Sequence, residues 1–340
     1  MELLQDYAGF LLQTITLLIA FAIVLRLIRS GNEGAGPSGA LDIQRLDKHF
    51  EALSHAINDA SMGRKERRKA QKSRKRDNKK GDASKADENR TRIFVLDFKG
   101  DIRASAVRSL REEVSAIVSS ARPDDEVLLR LESPGGSVTG YGLAASQLTR
   151  LKAAGIKLTV AVDQVAASGG YMMACVADHV LGAPFAVFGS IGVVTTIPNV
   201  NRLLKRNHVD VEMLTAGDFK RTLTMIGENT EAGRAKMQEQ LEDIHDLFKN
   251  FVGEHRPHLD LDAVATGDFW QGKRAKELAL IDEIGASDDW LLSRSQKSDL
   301  VRLSWVRPTT MGGKLKRLIH AALGGTADAT RQAELDSRYF

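Results

Sequence analysis

The chain has 340 residues, a net charge of +4 and 43% hydrophobic residues, values that are typical of a folded globular protein. This composition excludes a chain that is disordered throughout, a collagen and a disulfide scaffold. Because Cys175 is the single cysteine, an intramolecular disulfide and a zinc site of four cysteines are excluded as well. The charge is uneven: residues 64–80 hold 11 Lys or Arg and two acidic residues, so this segment contributes +9 and the rest of the chain −5.

The first element in chain order is a membrane span. Residues 7–25 are 19 successive residues without a charged side chain. A helix of that length reaches about 28 Å, which matches the hydrocarbon core of a bilayer. A buried core helix would be shorter and keep a polar stripe, and a cleavable signal peptide would begin with positive charge rather than with Glu2 and Asp6. We predict an uncleaved anchor within residues 1–30, with cleavage in the small-residue run 35–40 as the alternative.

Charges that flank this span predict its orientation. No Lys or Arg precedes it, whereas Arg26 and Arg29 follow it closely. The positive-inside rule then places the N-terminus outside and the rest of the chain in the cytoplasm.

A linker over residues 31–91 follows the anchor. Residues 31–40 are rich in Gly, Ser and Pro and predict a flexible joint. Residues 41–57 have apolar side chains at steps of three and four, which predicts an amphipathic helix that either pairs protomers or packs on the main domain. Residues 61–90 have almost no apolar side chains and are expected to be disordered or a solvated helix.

The basic run 64–80 within this linker has three interpretations. It binds nucleic acid, it is attracted to anionic headgroups, or it is a solvated spacer beside the membrane. No aromatic residue interrupts the run to stack on bases, so nucleic acid is not the expected partner.

An α/β domain is predicted over residues 92–288, followed by a tail over 289–340. Short apolar strands alternate with helical patterns, which indicates βαβ units around a largely parallel sheet. The predicted strands are 93–98, 126–131, 156–162 and the strand-like 209–214, and the predicted helices are 107–117, 137–152, 167–176 and 237–251.

Two glycine-containing turns follow strands of this domain. Residues 133–137 read Ser-Pro-Gly-Gly-Ser, a tight turn whose backbone N–H groups suit an oxyanion or a phosphate. In residues 166–171, Ser168 precedes two glycines at the start of a helix, the position of a serine nucleophile, and the N–H of Gly169 would face the oxyanion. The alternative is that Ser168 only caps the helix.

Lys220 follows the strand-like run 209–214 in the sequence Gly-Asp-Phe-Lys-Arg. A serine nucleophile needs a base, and a lysine serves only where burial lowers its pKa toward neutrality. Otherwise Lys220 is a surface lysine.

These motifs together resemble a known family. Four of them occur in the order seen in bacterial signal-peptide-peptidase-A-type serine peptidases: Ser133-Pro134-Gly135-Gly136, Ala167-Ser168-Gly169-Gly170-Tyr171, Gly189-Ser190-Ile191-Gly192-Val193 and Asp218-Phe219-Lys220. The resemblance covers residues 92 to about 287, and the anchor, basic linker and single catalytic copy are most similar to the SohB branch. Ala279 departs from the pattern, because glycine is usual there, and this puts a local turn in doubt.

The resemblance implies an α/β fold of ClpP/crotonase type, made of stacked ββα units, and a serine–lysine dyad. In it Ser168 is the nucleophile and Lys220 the general base. Gly136 and Gly169 supply the oxyanion-hole N–H groups, and Ser190 orients Lys220. Neither a metal nor another cofactor is required.

The resemblance also implies the partners and the location. The substrate is a peptide or protein, such as signal-peptide remnants or membrane-protein fragments, and residues 7–25 contact membrane lipid. Single-copy relatives form rings in which serine and lysine meet within or between subunits, so we expect a homo-oligomer. In the tail 289–340, an apolar stripe of Leu315, Leu318, Ile319 and Leu323 predicts contact with a neighbouring subunit, with a membrane surface as the alternative. The protein would be a single-pass protein of the bacterial inner membrane. Charge favours a cytoplasmic domain, and family members described as acting outside the cytoplasm make the periplasm the alternative.

Other functions stay open at this point. A Ser-His-Asp triad would use His179, which lies beside Asp178, or His208. An acyl-CoA hydratase or isomerase would reuse the oxyanion hole without a serine nucleophile, and a membrane scaffold would have no catalytic residues.

Overall fold

A computed structural model of the chain describes residues 14–16, 39–81, 90–217 and 219–306. The chain divides into two compact units, residues 1–42 with 305–340, and residues 43–304. The predicted membrane span lies outside the described residues except for Thr14–Thr16, which are helical. Within the described ranges no helix is long and apolar enough to cross a bilayer. Residues 307–340 of the predicted tail also lie outside them.

The strands and helices are numbered here in chain order. The strands are β1 (Ala40–Arg45), β2 (Arg92–Lys99), β3 (Glu126–Glu132), β4 (Lys157–Val162), β5 (Val165–Ala167), β6 (His179–Gly182), β7 (Val187–Gly189), β8 (Phe269–Gln271), β9 (Glu283–Ile284) and β10 (Asp299–Val306). The helices are α1 (Leu46–Ser61), α2 (Arg64–Gly81), α3 (Val107–Ser120), α4 (Val138–Ala153), α5 (Gly169–Ala174), α6 (Asn201–Arg206), α7 (Glu231–His255), α8 (Leu261–Val264), α9 (Gly272–Glu277) and α10 (Ser287–Arg294).

Two sheets organise the domain. The larger has the strand order β1-β10-β2-β3-β4-β6-β9, and every pairing from β10 to β9 is parallel. In the smaller sheet β5 pairs with β7 in parallel, and β8 pairs with β7 in antiparallel orientation. The parallel-rich α/β sheet predicted from the alternating pattern is confirmed.

The larger sheet is buried on both faces, which explains why its central strands are nearly continuous apolar runs. On one face the Phe98 ring packs edge-on against Tyr141 of α4, with the ring centroids 6.3 Å apart. On the other face Val95 and Leu128 belong to a buried cluster that includes Trp290 of α10, and Phe50 of α1 packs against that cluster. Because β2, β3 and β4 run parallel, their carboxyl ends lie at one common edge of the sheet.

Three predicted elements differ from the structure. The helix expected over 41–57 begins only at Leu46, because residues 40–45 form the edge strand β1. Residues 209–214 form neither strand nor helix, and Leu214 is 93% exposed. The helix expected over 167–176 is the shorter α5, preceded by strand β5.

The basic run forms helix α2, which matches the solvated-helix alternative for this segment. The side chains of residues 64–69 are exposed. Arg74 on the same helix lies 2.9 Å from Asp59 at the end of α1, and this ion pair joins the two helices.

Candidate active site

Ser133 connects the end of β3 to the segment that precedes Ser168. Its N–H donates to the carbonyl of Val165 at 2.7 Å, and its own carbonyl accepts from the N–H of Ala167 at 3.0 Å. These two bonds fix the Ser-Pro-Gly-Gly turn beside the start of α5.

Ser168 has the backbone conformation expected of a nucleophile at a strand-to-helix turn. Its φ of 52° and ψ of −119° are strained for a residue with a Cβ. The strain is held in place because the Ser168 N–H donates to the Gly189 carbonyl at 2.8 Å, while the Ser168 carbonyl accepts from Met172 at 2.9 Å. The hydroxyl makes no helix-capping bond, so the interpretation of Ser168 as a plain cap is wrong. Ser168 is half-buried.

Gly135 lies directly against the serine. Its φ is 91°, and a Cβ at this position would come within 2.7 Å of the Ser168 Cβ and 2.9 Å of the Gly169 nitrogen. Only glycine fits such an approach. The Gly135 N–H is already used, since it donates to the Ser133 Oγ at 3.1 Å.

The N–H groups of Gly136 and Gly169 differ from that of Gly135. Neither donates a hydrogen bond to any acceptor within residues 39–81, 90–217 and 219–306. Gly169 is the first residue of α5, where a backbone N–H has no partner within the helix. These two donors beside a serine hydroxyl can stabilise the negative charge of a tetrahedral oxyanion.

Ser190 follows the glycine whose carbonyl holds Ser168. Ser190 has a φ of 51°, and its N–H donates to the Asp268 carbonyl at 2.6 Å. The residue before Ser190 is thus bonded to Ser168, but no hydrogen bond joins Ser190 to Lys220 among the described residues.

Lys220 does not join this group in the single chain. Its side chain is exposed, and Phe219 beside it is 54% exposed, so the burial that a lysine base requires is not present here. The Lys220 N–H donates to the Gly217 carbonyl at 3.2 Å, whereas its amine has no hydrogen-bond or ion-pair partner in the described part of the chain. Asp218 of the same motif lies outside the described residues.

Other groups near the site are occupied by structural contacts. The His179 Nε2 lies 3.0 Å from Glu283, and the adjacent Asp178 accepts from the Leu158 N–H at 2.8 Å, so these two residues do not form a histidine–aspartate pair. Cys175 is fully buried, and that burial raises the pKa of its thiol to about 12, which removes it as a nucleophile.

Comparison with known proteins decides the family. The pattern of Peptidase family S49 matches residues 150–301, and that of Peptidase family S49 N-terminal matches residues 2–148. The chain belongs to peptidase family S49. The SohB-branch resemblance predicted from the motifs is confirmed by relatives that bear this name.

Three relatives show how far the similarity extends. The "Probable protease SohB" of Haemophilus influenzae is 49% identical over 316 residues, which cover 89% of each chain. The "Probable protease SohB" of Buchnera aphidicola subsp. Schlechtendalia chinensis is 46% identical over 86% of this chain and 100% of its own. "Protease 4" of Salmonella typhi is 29% identical over 59% of this chain and 31% of its own.

Two features of this S49 site were not predicted from the sequence. Tyr141 and Ser133 form a buried hydroxyl pair next to the turn, and Arg256 and Asp282 form an ion pair behind α5. Their separations of 8 and 26 residues produce no local motif. The apolar spacing of α4 could have placed Tyr141 in the core, but not its hydroxyl.

Proposed function

We propose that this S49 peptidase is a membrane-anchored serine endopeptidase that cleaves signal-peptide remnants or membrane-protein fragments through a dyad of Ser168 and Lys220. Gly136 and Gly169 act as the oxyanion hole, and Ser190 orients the lysine. The reaction requires neither a metal nor another cofactor.

The mechanism follows from the chemistry of these groups. The neutral amine of Lys220 accepts the proton of Ser168 while the serine oxygen attacks a peptide carbonyl. The N–H groups of Gly136 and Gly169 stabilise the oxyanion, each typically by about 3 kcal/mol. Lys220 then gives the proton to the leaving amine. It next deprotonates a water molecule, which hydrolyses the acyl-enzyme and restores the Ser168 hydroxyl.

The observation that carries this proposal is the conformation of Ser168. The residue is held in a strained backbone geometry without using its hydroxyl to cap α5. Strain of this kind is kept where the surrounding structure over-determines it, as at active sites. Gly135 packs against the serine in a way that no other residue type allows.

The exposed position of Lys220 supports a homo-oligomeric ring in which another subunit covers it. The segment around Lys220 presents apolar side chains to solvent, with Leu214 93%, Phe219 54% and Met225 55% exposed. Exposed apolar surface of this kind is typical of an interface. Burial against a neighbouring subunit would desolvate the amine and favour its neutral form.

The finer fold and location belong to the same proposal. The proposed fold is of ClpP/crotonase type with stacked ββα units, and the parallel-rich α/β sheet supports it. The proposed order is an anchor in residues 1–30, a linker in 31–91, the peptidase domain in 92–288 and a tail in 289–340, whose strand β10 joins the larger sheet beside β2. Residues 7–25 contact the lipid of the bacterial inner membrane, and flanking charge favours a cytoplasmic domain over a periplasmic one.

The test compares full-length variants in detergent micelles on a fluorogenic peptide. Ser168→Ala and Lys220→Ala should each lower kcat/KM by about a thousand-fold or more, because the members of such a unit do not replace one another. His179→Ala is the control and should keep wild-type activity. A serine-directed phosphonate should label wild-type protein, but not Ser168→Ala.

Three other outcomes would each contradict a different part of the proposed function. Hydrolysis that survives Lys220→Ala removes the dyad. Turnover of an acyl-CoA without phosphonate labelling indicates the hydratase or isomerase class. Wild-type protein with no turnover of either substrate indicates a scaffold.

A further inference from the structure

Three hydrogen bonds in a row lie beneath the candidate oxyanion hole. The Gly135 N–H donates to the Ser133 Oγ at 3.1 Å, the Ser133 hydroxyl donates to the Tyr141 Oη at 2.6 Å, and the Tyr141 hydroxyl donates to the Asp101 carbonyl at 2.9 Å. Ser133 and Tyr141 are both fully buried. A buried chain of this kind is stronger than isolated bonds, because each member polarises the next.

The direction of this chain is determined by its two ends. The Asp101 carbonyl can only accept, so the Tyr141 hydroxyl must donate to it. The Tyr141 Oη therefore accepts a hydrogen bond from the Ser133 hydroxyl, and the Ser133 Oγ in turn accepts one from the Gly135 N–H. The Gly135 N–H is therefore turned away from the site, whereas the N–H of the next residue, Gly136, remains free.

The Tyr141 ring also contacts the second donor. A Cβ at Gly169 would overlap the Cβ and the ring carbons of Tyr141, so the Gly169 backbone lies directly on the tyrosine. The loop that Tyr141 binds through Asp101 supports the first donor, because the Ser137 N–H donates to the Ile102 carbonyl at 2.7 Å. The Tyr141 side chain thus contacts both the loop that holds the Gly136 turn and the backbone of Gly169.

We propose that Tyr141 and Ser133 are positioning residues that fix the N–H groups of Gly136 and Gly169 relative to Ser168. This inference rests on the proposed function, since the two N–H groups matter only if an oxyanion forms at Ser168. Tyr141 acts through its hydroxyl and its ring, whereas Ser133 acts through its hydroxyl alone. Neither residue touches the substrate.

The experiment removes single hydroxyls in full-length protein. Tyr141→Phe keeps the ring against Gly169 but removes the bonds to Ser133 and Asp101, and Ser133→Ala removes the bonds to Tyr141 and Gly135. The matched control is Tyr171→Phe, because Tyr171 is equally buried and its hydroxyl donates one bond, at 3.0 Å, to the Leu280 carbonyl away from the turn. Tyr141→Phe and Ser133→Ala each lose two hydrogen bonds of a buried hydroxyl and the control loses one, so their losses of thermal stability should be somewhat larger than that of the control.

The kinetic readout separates positioning from stability. We expect Tyr141→Phe and Ser133→Ala to lower kcat by about 10- to 100-fold with KM changed less than about twofold, because a misplaced donor affects the transition state more than the bound peptide. A peptide boronate, which forms a tetrahedral adduct with serine, should lose affinity by the same factor. The control should change neither value.

If Tyr141→Phe and Ser133→Ala both keep the wild-type kcat, as the control should, this inference is overturned, while the serine–lysine dyad still stands. Lowered kcat in all three variants would also overturn it, since loss of packing would then explain the effect. Failure of the proposed function is distinguishable, because Ser168→Ala would then leave the wild-type rate unchanged.

Discussion

At the scale of single residues, Ser168 and Ala279 both have a strained backbone with positive φ, but in different places. Ser168 lies at the candidate active site, whereas Ala279 lies in the turn between α9 and β9. Ala279 has a φ of 59°, and its N–H donates to the Lys276 carbonyl at 3.0 Å. The turn that was doubtful because alanine replaces the usual glycine is therefore formed, with a side chain in the left-handed region.

This residue gives a stability prediction. Ala279→Gly should raise the free energy of unfolding by about 0.5–1 kcal/mol, because the left-handed conformation costs a residue with a Cβ about 1–2 kcal/mol and the added freedom of the unfolded chain offsets part of that gain. Denaturant unfolding measures the difference.

The control is Ala235→Gly at an exposed position of α7, which should lower the free energy of unfolding by about 1 kcal/mol. The same sign for both variants would contradict the assignment of strain to position 279.

At the scale of elements, an ion pair joins the end of α7 to the turn before β9. Arg256 is 3% exposed, and its Nη1 and Nη2 each lie 2.8 Å from an oxygen of Asp282. Asp282 also accepts from the Val180 N–H at 2.7 Å. Burial alone would raise the pKa of Asp282, but the bonds from Arg256 and Val180 outweigh it and lower that pKa below its usual range.

The lowered pKa of Asp282 makes the stability of the folded state depend on pH. A carboxyl group whose pKa is lowered in the folded state stabilises that state above its unfolded pKa of about 4, and the contribution is lost as the pH falls through the folded value. Thermal unfolding between pH 2 and 7 should therefore show a steep acid loss in the wild type. Asp282→Asn should be less stable by about 3–5 kcal/mol at pH 7, because it leaves Arg256 buried without its counter-charge, and its acid loss should be smaller.

Asp246→Asn is the matched control, since Asp246 pairs with Lys249 on the exposed side of α7 at 2.7 Å. Exposed pairs contribute little to stability, so this variant should follow the wild-type curve at neutral pH. Equal effects of the two substitutions would contradict the role assigned to the Arg256–Asp282 pair.

Sequence periodicity predicts some of these strands and helices and not others. Strands β2, β3 and β4 and helices α3 and α4 were predicted because each buries one face or both against a neighbouring layer. Residues 40–45 were missed because their pairing in the sheet is long-range, and Ile43 fits a helical stripe equally well. At the site, Ser168 and its glycines have a local motif, whereas the bond from Tyr141 to Asp101 joins residues 40 positions apart.

At the scale of the whole molecule, the question is how Lys220 reaches Ser168. One chain assembles the serine, Gly136 and Gly169, but leaves Lys220 exposed among apolar side chains. If the ring proposed above places Lys220 of one subunit beside Ser168 of another, then each active site is built from two chains. Two inactive variants would then complement one another.

Rings that mix the two inactive variants test whether they complement one another. Ser168→Ala and Lys220→Ala proteins are dissociated, combined in equal amounts and reassembled, and peptide hydrolysis is followed. About a quarter of the sites should pair an intact serine with an intact lysine, because each occurs with a probability of about one half in a random ring. Mixing Ser168→Ala with the double variant is the control and should restore nothing. If reassembled mixed rings remain inactive while wild-type rings regain full activity, the serine and lysine belong to one chain, and covering by a neighbour serves only to desolvate the amine.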